Sequence, residues 1–269
     1  MSYRKLWIGL GLVIGCSFAV LGWYGFELYR EAPPIPDKVV REDGTVLFTG
    51  REIQDGQNVW QSIGGHQLGS IWGHGAYVAP DWSADWLHRE CLALLNRWAI
   101  ARYGQPYDKL STEHQAGLRE RLKLEIRTNT YDPETKTLTV SADRAAAMEE
   151  VAQHYAALFG DDPALSDLRT AYAMPANTIK DAERQRWLNA FFFWAAWACG
   201  TNRPGREITY TNNWPHEDLI GNVPSASITI WSLVSVVLLL AGVGALAWYI
   251  ATQKHREEEP DHATPEHDP

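Results

Sequence analysis

Two uninterrupted apolar stretches, residues 6–26 and 228–250, constrain this chain more than any other feature. Neither carries a charged side chain, and each is long enough to cross a hydrocarbon core of roughly 30 Å. Aromatic residues stand near their ends, Trp7 with Trp23 and Tyr24 in the first and Trp231 with Trp248 and Tyr249 in the second. Such rings prefer the headgroup layer. Arg4 and Lys5 precede the first stretch while Lys254 and Arg256 follow the second, so the positive-inside rule puts both termini in the cytoplasm and the intervening chain outside it. The chain thus divides into a transmembrane anchor over residues 1–30, an outer domain over 31–224, a second transmembrane helix over 225–251 and a polar tail over 252–269. A cleaved signal peptide is the rival reading of the first stretch, since Val13-Ile14-Gly15-Cys16 resembles a loose lipoprotein cleavage box. Apolar character continues past it through Phe26, which favours an uncleaved anchor. Gly11 with Gly15, and Ala241 with Ala245, give each span a small-residue face for close helix approach.

The outer segment is large enough for one domain with its own core. Its two thiols, Cys91 and Cys199, stand alone without metal-like or redox-like spacing, and a disulfide between them is left open. Cys16 lies in the first span. A formal net charge of -9 and an acidic tail from Glu257, Glu258 and Glu259 onward argue against nucleic acid as a partner.

Pro33, Pro34 and Pro36 stiffen the exit from the first span, and Glu42-Asp43-Gly44 marks a turn between short apolar pieces around Val39 and Leu47. Helices are expected over residues 51–62 and 83–103, the second capped by Ser83 and ended by Gly104-Gln105-Pro106. A glycine-rich loop over 64–80 joins them. Ser111 or Thr112 opens a further helix to Arg127, with Thr112 and Gln115 spaced as a capping box and Leu118, Leu122 and Ile126 on one face. A small strand or turn over 137–140 precedes a helix over 141–159, closed by Gly160, in which Met148, Val151, Tyr155 and Leu158 form a face. Irregular chain is expected to about Thr178. The last outer helix, 181–199, carries Phe191, Phe192, Phe193, Trp194 and Trp197; its apolar run is too short to span a bilayer and reads as buried core or as interfacial.

Haem held inside a membrane needs imidazoles projecting from the spans. All nine histidines, His66, His74, His88, His114, His154, His216, His255, His262 and His267, lie elsewhere. His66 and His74 sit in the glycine-rich loop without a cysteine or a closely spaced partner in a ligand pattern. His255, His262 and His267 lie in the polar tail and read as solvated.

The stretch Gly73-His74-Gly75-Ala76-Tyr77-Val78-Ala79-Pro80-Asp81-Trp82 resembles the loop that follows the haem-attachment motif in the small subunit of bacterial nitric oxide reductases. Covalent c-type haem requires C-x-x-C-H, and the chain has Gly65-His66-Gln67-Leu68-Gly69 instead. With Gly75 aligned to its counterpart, Gly65 and Leu68 fall at the two cysteine positions and Gly69 at the ligating histidine. A second block, Ile208-Thr209-Tyr210-Thr211-Asn212-Asn213-Trp214-Pro215-His216-Glu217, leading into Ile220-Gly221-Asn222, resembles the quinol-dependent reductases. Together with the two spans these matches cover most of residues 3–250, and the chain is similar to the amino-terminal region of the quinol-dependent nitric oxide reductases.

The resemblance implies a mainly α fold, a haem-less cytochrome c-like domain between two transmembrane helices, held in a bacterial inner membrane with the central domain periplasmic. It implies a polytopic catalytic partner carrying haem b and non-haem iron, which takes electrons from quinol and reduces two nitric oxide molecules to nitrous oxide and water. Membrane lipid is a further partner. It also implies a calcium ion shared with that partner, bound here by the Gly75 carbonyl and the Tyr77 hydroxyl, hard oxygen donors that suit such a cation. On the residues alone, the same positions read as a turn in which glycine permits an unusual backbone angle and Tyr77 packs in the core. Asn212, Asn213, Trp214, His216 and Glu217 would stand beside the quinol or cap an interface with the partner.

Residues 254–269 are similar to the family's linker into the catalytic bundle, so the bundle is expected on a separate subunit, or the chain is a truncated product. An outer domain between two spans is also the layout of a membrane sensor, whose cytoplasmic output module the acidic tail does not supply. A scaffold for another haem-copper oxidase relative differs only in its partner. Protease added to intact spheroplasts is expected to cleave within residues 31–224 and spare the tail. Tail digestion with protection of the middle segment would reverse the topology.

Overall fold

The structure, a computed structural model, describes residues 3–258. The expectations for Glu259, His262 and His267, and for the side chains at 255–258, lie outside the described residues. Two compact units meet in sequence at Val223 and Pro224. The second contains α8 (Ala226–Glu258), whose segment Ile230–Lys254 is long and apolar enough to span a membrane. In the first unit α1 (Tyr3–Arg30) has the same character. Neither apolar window is buried inside the protein. Side chains such as Leu12, Phe18, Leu238 and Leu246 are more than half exposed, a cost in water that a hydrocarbon surround removes.

In chain order the segment between the two long apolar helices comprises β1 (Lys38–Arg41), β2 (Val46–Thr49), α2 (Gly50–Ser62), β3 (Ser70–Ile71), β4 (His74–Gly75), α3 (Trp82–Tyr103), α4 (Thr112–Arg127), β5 (Tyr131–Asp132), β6 (Thr137–Val140), α5 (Ala142–Phe159), α6 (Ser166–Ala171) and α7 (Ala182–Gly200). The small sheet has the order β2-β1-β6-β5, with β1 parallel to β6 and the other pairs antiparallel. Residues 42–45 turn between β1 and β2 as the sequence suggests, with Asp43 accepting from the Thr45 amide at 3.0 Å.

Side-chain oxygens set the helix starts, and at α3 the capping residue differs from the sequence reading. Thr49 and Glu52 form a reciprocal capping box that opens α2, at 3.2 Å for the Glu52 amide on the threonine hydroxyl and 2.7 Å for the return bond. Asp81, not Ser83, caps α3, because its carboxylate reaches the amides of both Ser83 and Ala84. Ser111, one of the two expected openers, caps α4, and the expected Thr112–Gln115 box does not form: the Gln115 amide instead donates to the carbonyls of Tyr107 and Leu110. The segment expected to be irregular contains α6, whose single turn and a half has too little apolar periodicity to be read from sequence.

The core lies where α3, α5 and α7 meet and is mostly aromatic. Trp82 stacks on Phe192 with centroids 5.5 Å apart, and Trp86 stacks on Tyr155 at 5.4 Å. Phe191, Phe192, Phe193 and Trp197 are all buried, so the aromatic run of α7 is core. Glu90 and Arg144 form an ion pair at 2.6 Å inside this core, and the Trp86 indole donates to the same carboxylate at 3.0 Å. The three thiols are free. Burial lifts that of Cys199 to about 12 and that of Cys91 well above its ordinary range.

Gly56 sets the spacing of α2 and α7. A Cβ there would overlap the Trp187 carbonyl oxygen and stand 2.7 Å from the Phe191 Cβ. Gly56→Ala is expected to destabilise the domain by at least about 3 kcal/mol, because the backbone of α7 must move to admit the methyl group. A thermal melt of the full chain in detergent, showing no loss for the variant, would contradict this packing.

Candidate functional site

The glycine-rich loop between α2 and α3 is fixed by a carboxylate at its far end. Asp81 Oδ2 accepts from the Ser70 hydroxyl at 2.8 Å and from the Gly73 amide at 2.7 Å, while Oδ1 accepts from the Ser83 and Ala84 amides and from the Ser83 hydroxyl. One side chain therefore caps α3 and ties down the loop that precedes it. The hairpin of β3 and β4 pairs Ser70 with Gly75 and Ile71 with His74. His66 braces it from outside, its Nδ1 lying 2.7 Å from the His74 carbonyl and its own carbonyl accepting from the Ala76 amide at 2.7 Å. Its ring also sits edge-on to Trp60 at 4.6 Å. These contacts assign His66 a structural part in the loop, a role that spacing rules for metal ligands do not reveal.

Two glycines make the hairpin possible. Gly69 has φ +88°, and a Cβ there would lie 2.5 Å from the Pro80 carbonyl and 2.6 Å from the Trp82 indole nitrogen. Gly75 has φ +147°, and a Cβ there would overlap the Gly69 carbonyl and stand 2.8 Å from the Ser70 Cα. The turn half of the residue-only reading of Gly75 therefore holds. The other half does not, since Tyr77 is 96% exposed and packs in no core. The backbone on either side is pinned, so this exposed ring is presented on a constrained loop.

The second block folds back on the first. A Cβ on Gly73 would meet the six-membered ring of Trp214 at 3.2 Å, which brings the two segments singled out in the sequence together. Asn212 and Asn213 both have left-handed backbone, at φ 57° and 60°. Asn213 Oδ1 accepts from the Thr209 amide at 3.0 Å and from Arg127 at 3.3 Å. Glu217 is buried, pairs with His88 at 2.9 Å and accepts from the Leu219 amide at 3.1 Å. Asn213, Trp214 and Glu217 thus serve the turn itself, while Asn212 and His216 are exposed, the latter 2.9 Å from Asp218. Sequence reasoning gave no role to Ser70 or His88, and it named Asp81 only within the resembling loop, although an aspartate immediately before a helical run is a capping signal.

Among the described residues no group of three or more His, Cys, Asp or Glu side chains is arranged to hold a metal ion. Gly75 and Tyr77 offer one carbonyl and one hydroxyl.

A mainly helical domain flanked by two helices suited to a membrane defines the class: a membrane-anchored protein with a cytochrome c-like domain. Residues 36–216 match the family model for the NorB cytochrome c-like domain of nitric oxide reductase, and the chain belongs to that family. It is accordingly part of a nitric oxide reductase, an oxidoreductase. No curated protein matches the chain.

Asp81→Asn keeps one acceptor for the helix cap but replaces the oxygen that holds the Gly73 amide and the Ser70 hydroxyl. A loss of about 1–3 kcal/mol in stability is expected, the penalty of an unmet hydrogen bond. Amide exchange should accelerate at Gly73 while α3 stays protected. Uniform exchange behaviour in both proteins would remove Asp81 from this role.

Proposed function

We propose that the chain is the membrane-anchored, haem-less outer domain of a quinol-dependent nitric oxide reductase, docking on a polytopic catalytic partner that carries haem b and non-haem iron. The partner's metals supply the redox chemistry, in which two nitric oxide molecules, two electrons from quinol and two protons yield nitrous oxide and water. The observation that carries the docking role is the exposed Tyr77 on a loop pinned by Asp81 and His66. A large ring held out into solvent by a constrained backbone is costly unless a partner covers it.

The haem-less reading is supported from two sides. The chain lacks C-x-x-C-H, and the position aligned with the ligating histidine, Gly69, is backed directly by the Trp82 indole. The spans contain no histidine for a membrane haem. The purified chain is expected to be colourless.

Calcium fits the available donors as a shared ion. The Gly75 carbonyl and the Tyr77 hydroxyl are hard oxygens, but two donors fall well short of the roughly six to eight that calcium takes, so the remainder belong to the partner. Asn212 and His216 are the outward-facing members of the second block available to the quinol region or the partner. The charge flanking the spans supports a domain outside the cytoplasm, which for the proposed enzyme is the periplasmic face of a bacterial inner membrane.

Tyr77→Phe is expected to leave the melt of the isolated chain unchanged, since the side chain is almost fully solvated. In the assembled enzyme it should weaken calcium retention by about tenfold or more, since even losing a partner of a metal ligand costs about 10–100-fold, and lower nitric oxide consumption. Capture of the tagged chain from denitrifying cells in mild detergent should bring down a haem-bearing membrane protein. Preparations without any haem protein would count against the reductase assembly.

A further inference from the structure

A groove of about 480 Å³ is lined among others by Lys123, Leu124, Arg127, Asn202, Glu207 and Val223. Two features of the chain place it near the membrane surface. Val223 stands three residues before Ala226, where α8 begins. On its other wall, the loop carrying Asn202 and Glu207 holds the end of α1: Arg203 and Arg206 both pair with Glu31, the residue that follows that helix.

The groove carries positive charge along one helix face. Arg119, Lys123 and Arg127 recur every fourth residue and so share one face of α4. Among the described residues none of the three has a carboxylate within ion-pair distance, a condition that Arg169 and Arg184 share but that recurs three times along this face. Arg127 is half-buried and held only by neutral oxygens, from Asn222 at 3.2 Å, the Glu207 carbonyl at 3.1 Å and Asn213 at 3.3 Å. The guanidinium is thus oriented by neutral oxygens, with the Glu207 carboxylate near enough to act on its charge but beyond ion-pair distance. Leu124 and Val223, 63% and 56% exposed, add apolar surface beside these cations.

We propose that this groove binds one anionic phospholipid with a hydroxyl-bearing headgroup, Lys123 and Arg127 taking the phosphate oxygens and Leu124 and Val223 meeting the glycerol and first acyl carbons. Glu207, exposed at the rim, accepts a headgroup hydroxyl and disfavours a doubly charged ligand. A singly charged phosphodiester with free headgroup hydroxyls, the phosphatidylglycerol class, meets these demands. The inference requires that both helices span the membrane and does not depend on the nitric oxide reductase assignment of the partner.

The test uses the full chain in phosphatidylcholine nanodiscs doped with phosphatidylglycerol bearing a photoactivatable headgroup, with crosslinks mapped by mass spectrometry. Labelling is expected in the 119–128 and 202–223 segments and to fall about fivefold in Lys123→Gln, the worth of one lysine near a lipid surface. Lys123→Glu should fall further. Lys123 is exposed and forms no ion pair among the described residues, so neither variant threatens the fold. Arg127→Lys, which keeps the charge but loses the three oriented bonds, should also reduce labelling. Labelling unaffected by the Lys123 variants, or equally strong with a photoactivatable phosphatidylcholine, would overturn the proposal. Full competition by millimolar inorganic phosphate would assign the site to a free anion instead. Loss of lipid labelling in the intact complex, with Lys123 crosslinked to another polypeptide, would assign it to a protein partner.

Discussion

Trp82 joins the aromatic core to the loop that carries the exposed Tyr77, and much of the domain's geometry follows from how that one indole is held. Its ring stacks on Phe192 and meets Tyr155, Phe159 and Tyr172 at centroid distances of 5.4 to 6.1 Å. Its Nε1 donates to the Leu68 carbonyl at 2.7 Å. Buried aromatic pairs contribute on the order of 0.5–1.5 kcal/mol each beyond the area they cover, so the ring has one strongly preferred seat. Because Asp81 precedes it in the chain, seating the ring also aims the carboxylate that caps α3 and holds Gly73. The loop is therefore an extension of the core, although it lies at the surface.

The same dependence explains which parts of the molecule were legible in the sequence. The two spans, the helices rich in periodic apolar residues and the core character of Phe191, Phe192, Phe193 and Trp197 follow from local composition, because burial of those side chains is decided by their own chemistry. The turn between β1 and β2 was legible for a similar reason, its residues being close in sequence. The parallel pairing of β1 with β6 was not, since strands so far apart in sequence announce no partner. Nor were the bonds of His88 to Glu217 or of Arg127 to Asn222, which join α3 and α4 to a turn near the end of the domain. Ser83 and Thr112 show how local rules mislead: each has a capping side chain, but a neighbour with the same chemistry reaches the free amides from a better backbone angle.

Polar groups inside the core bear on specificity more than on net stability. Removing Glu90 and Arg144 from water is expensive, and a pair of this kind commonly gains little over apolar residues of the same volume. Its geometry is nevertheless demanding, as Glu90 must meet both Arg144 and the Trp86 indole. Tyr155 imposes a second condition, donating to Asp85 at 2.7 Å, while Asp85 also pairs with Arg89 at 2.8 Å. Burial first, then the neighbouring Asp85, lifts the Tyr155 phenol well above its ordinary range, so it stays a donor at any physiological pH. Sliding α5 by one turn along α3 would break both sets of bonds at once. An aromatic core alone, with many near-equivalent stackings, would not exclude such a slip.

Arginines also manage the two places where the domain gives way to membrane helix, but in different ways. At the first, Arg203 pairs with Glu31 and donates to the carbonyls of Thr209 and Tyr210, so charge is matched within the protein. Near the second, Arg127 donates only to neutral oxygens, and Lys123 beside it has no carboxylate within pairing distance among the described residues. In a chain of formal net charge -9, carboxylates are not scarce. The counter-charge proposed for this face of α4 is therefore one outside the polypeptide, in the headgroup layer that a chain segment entering a spanning helix must cross.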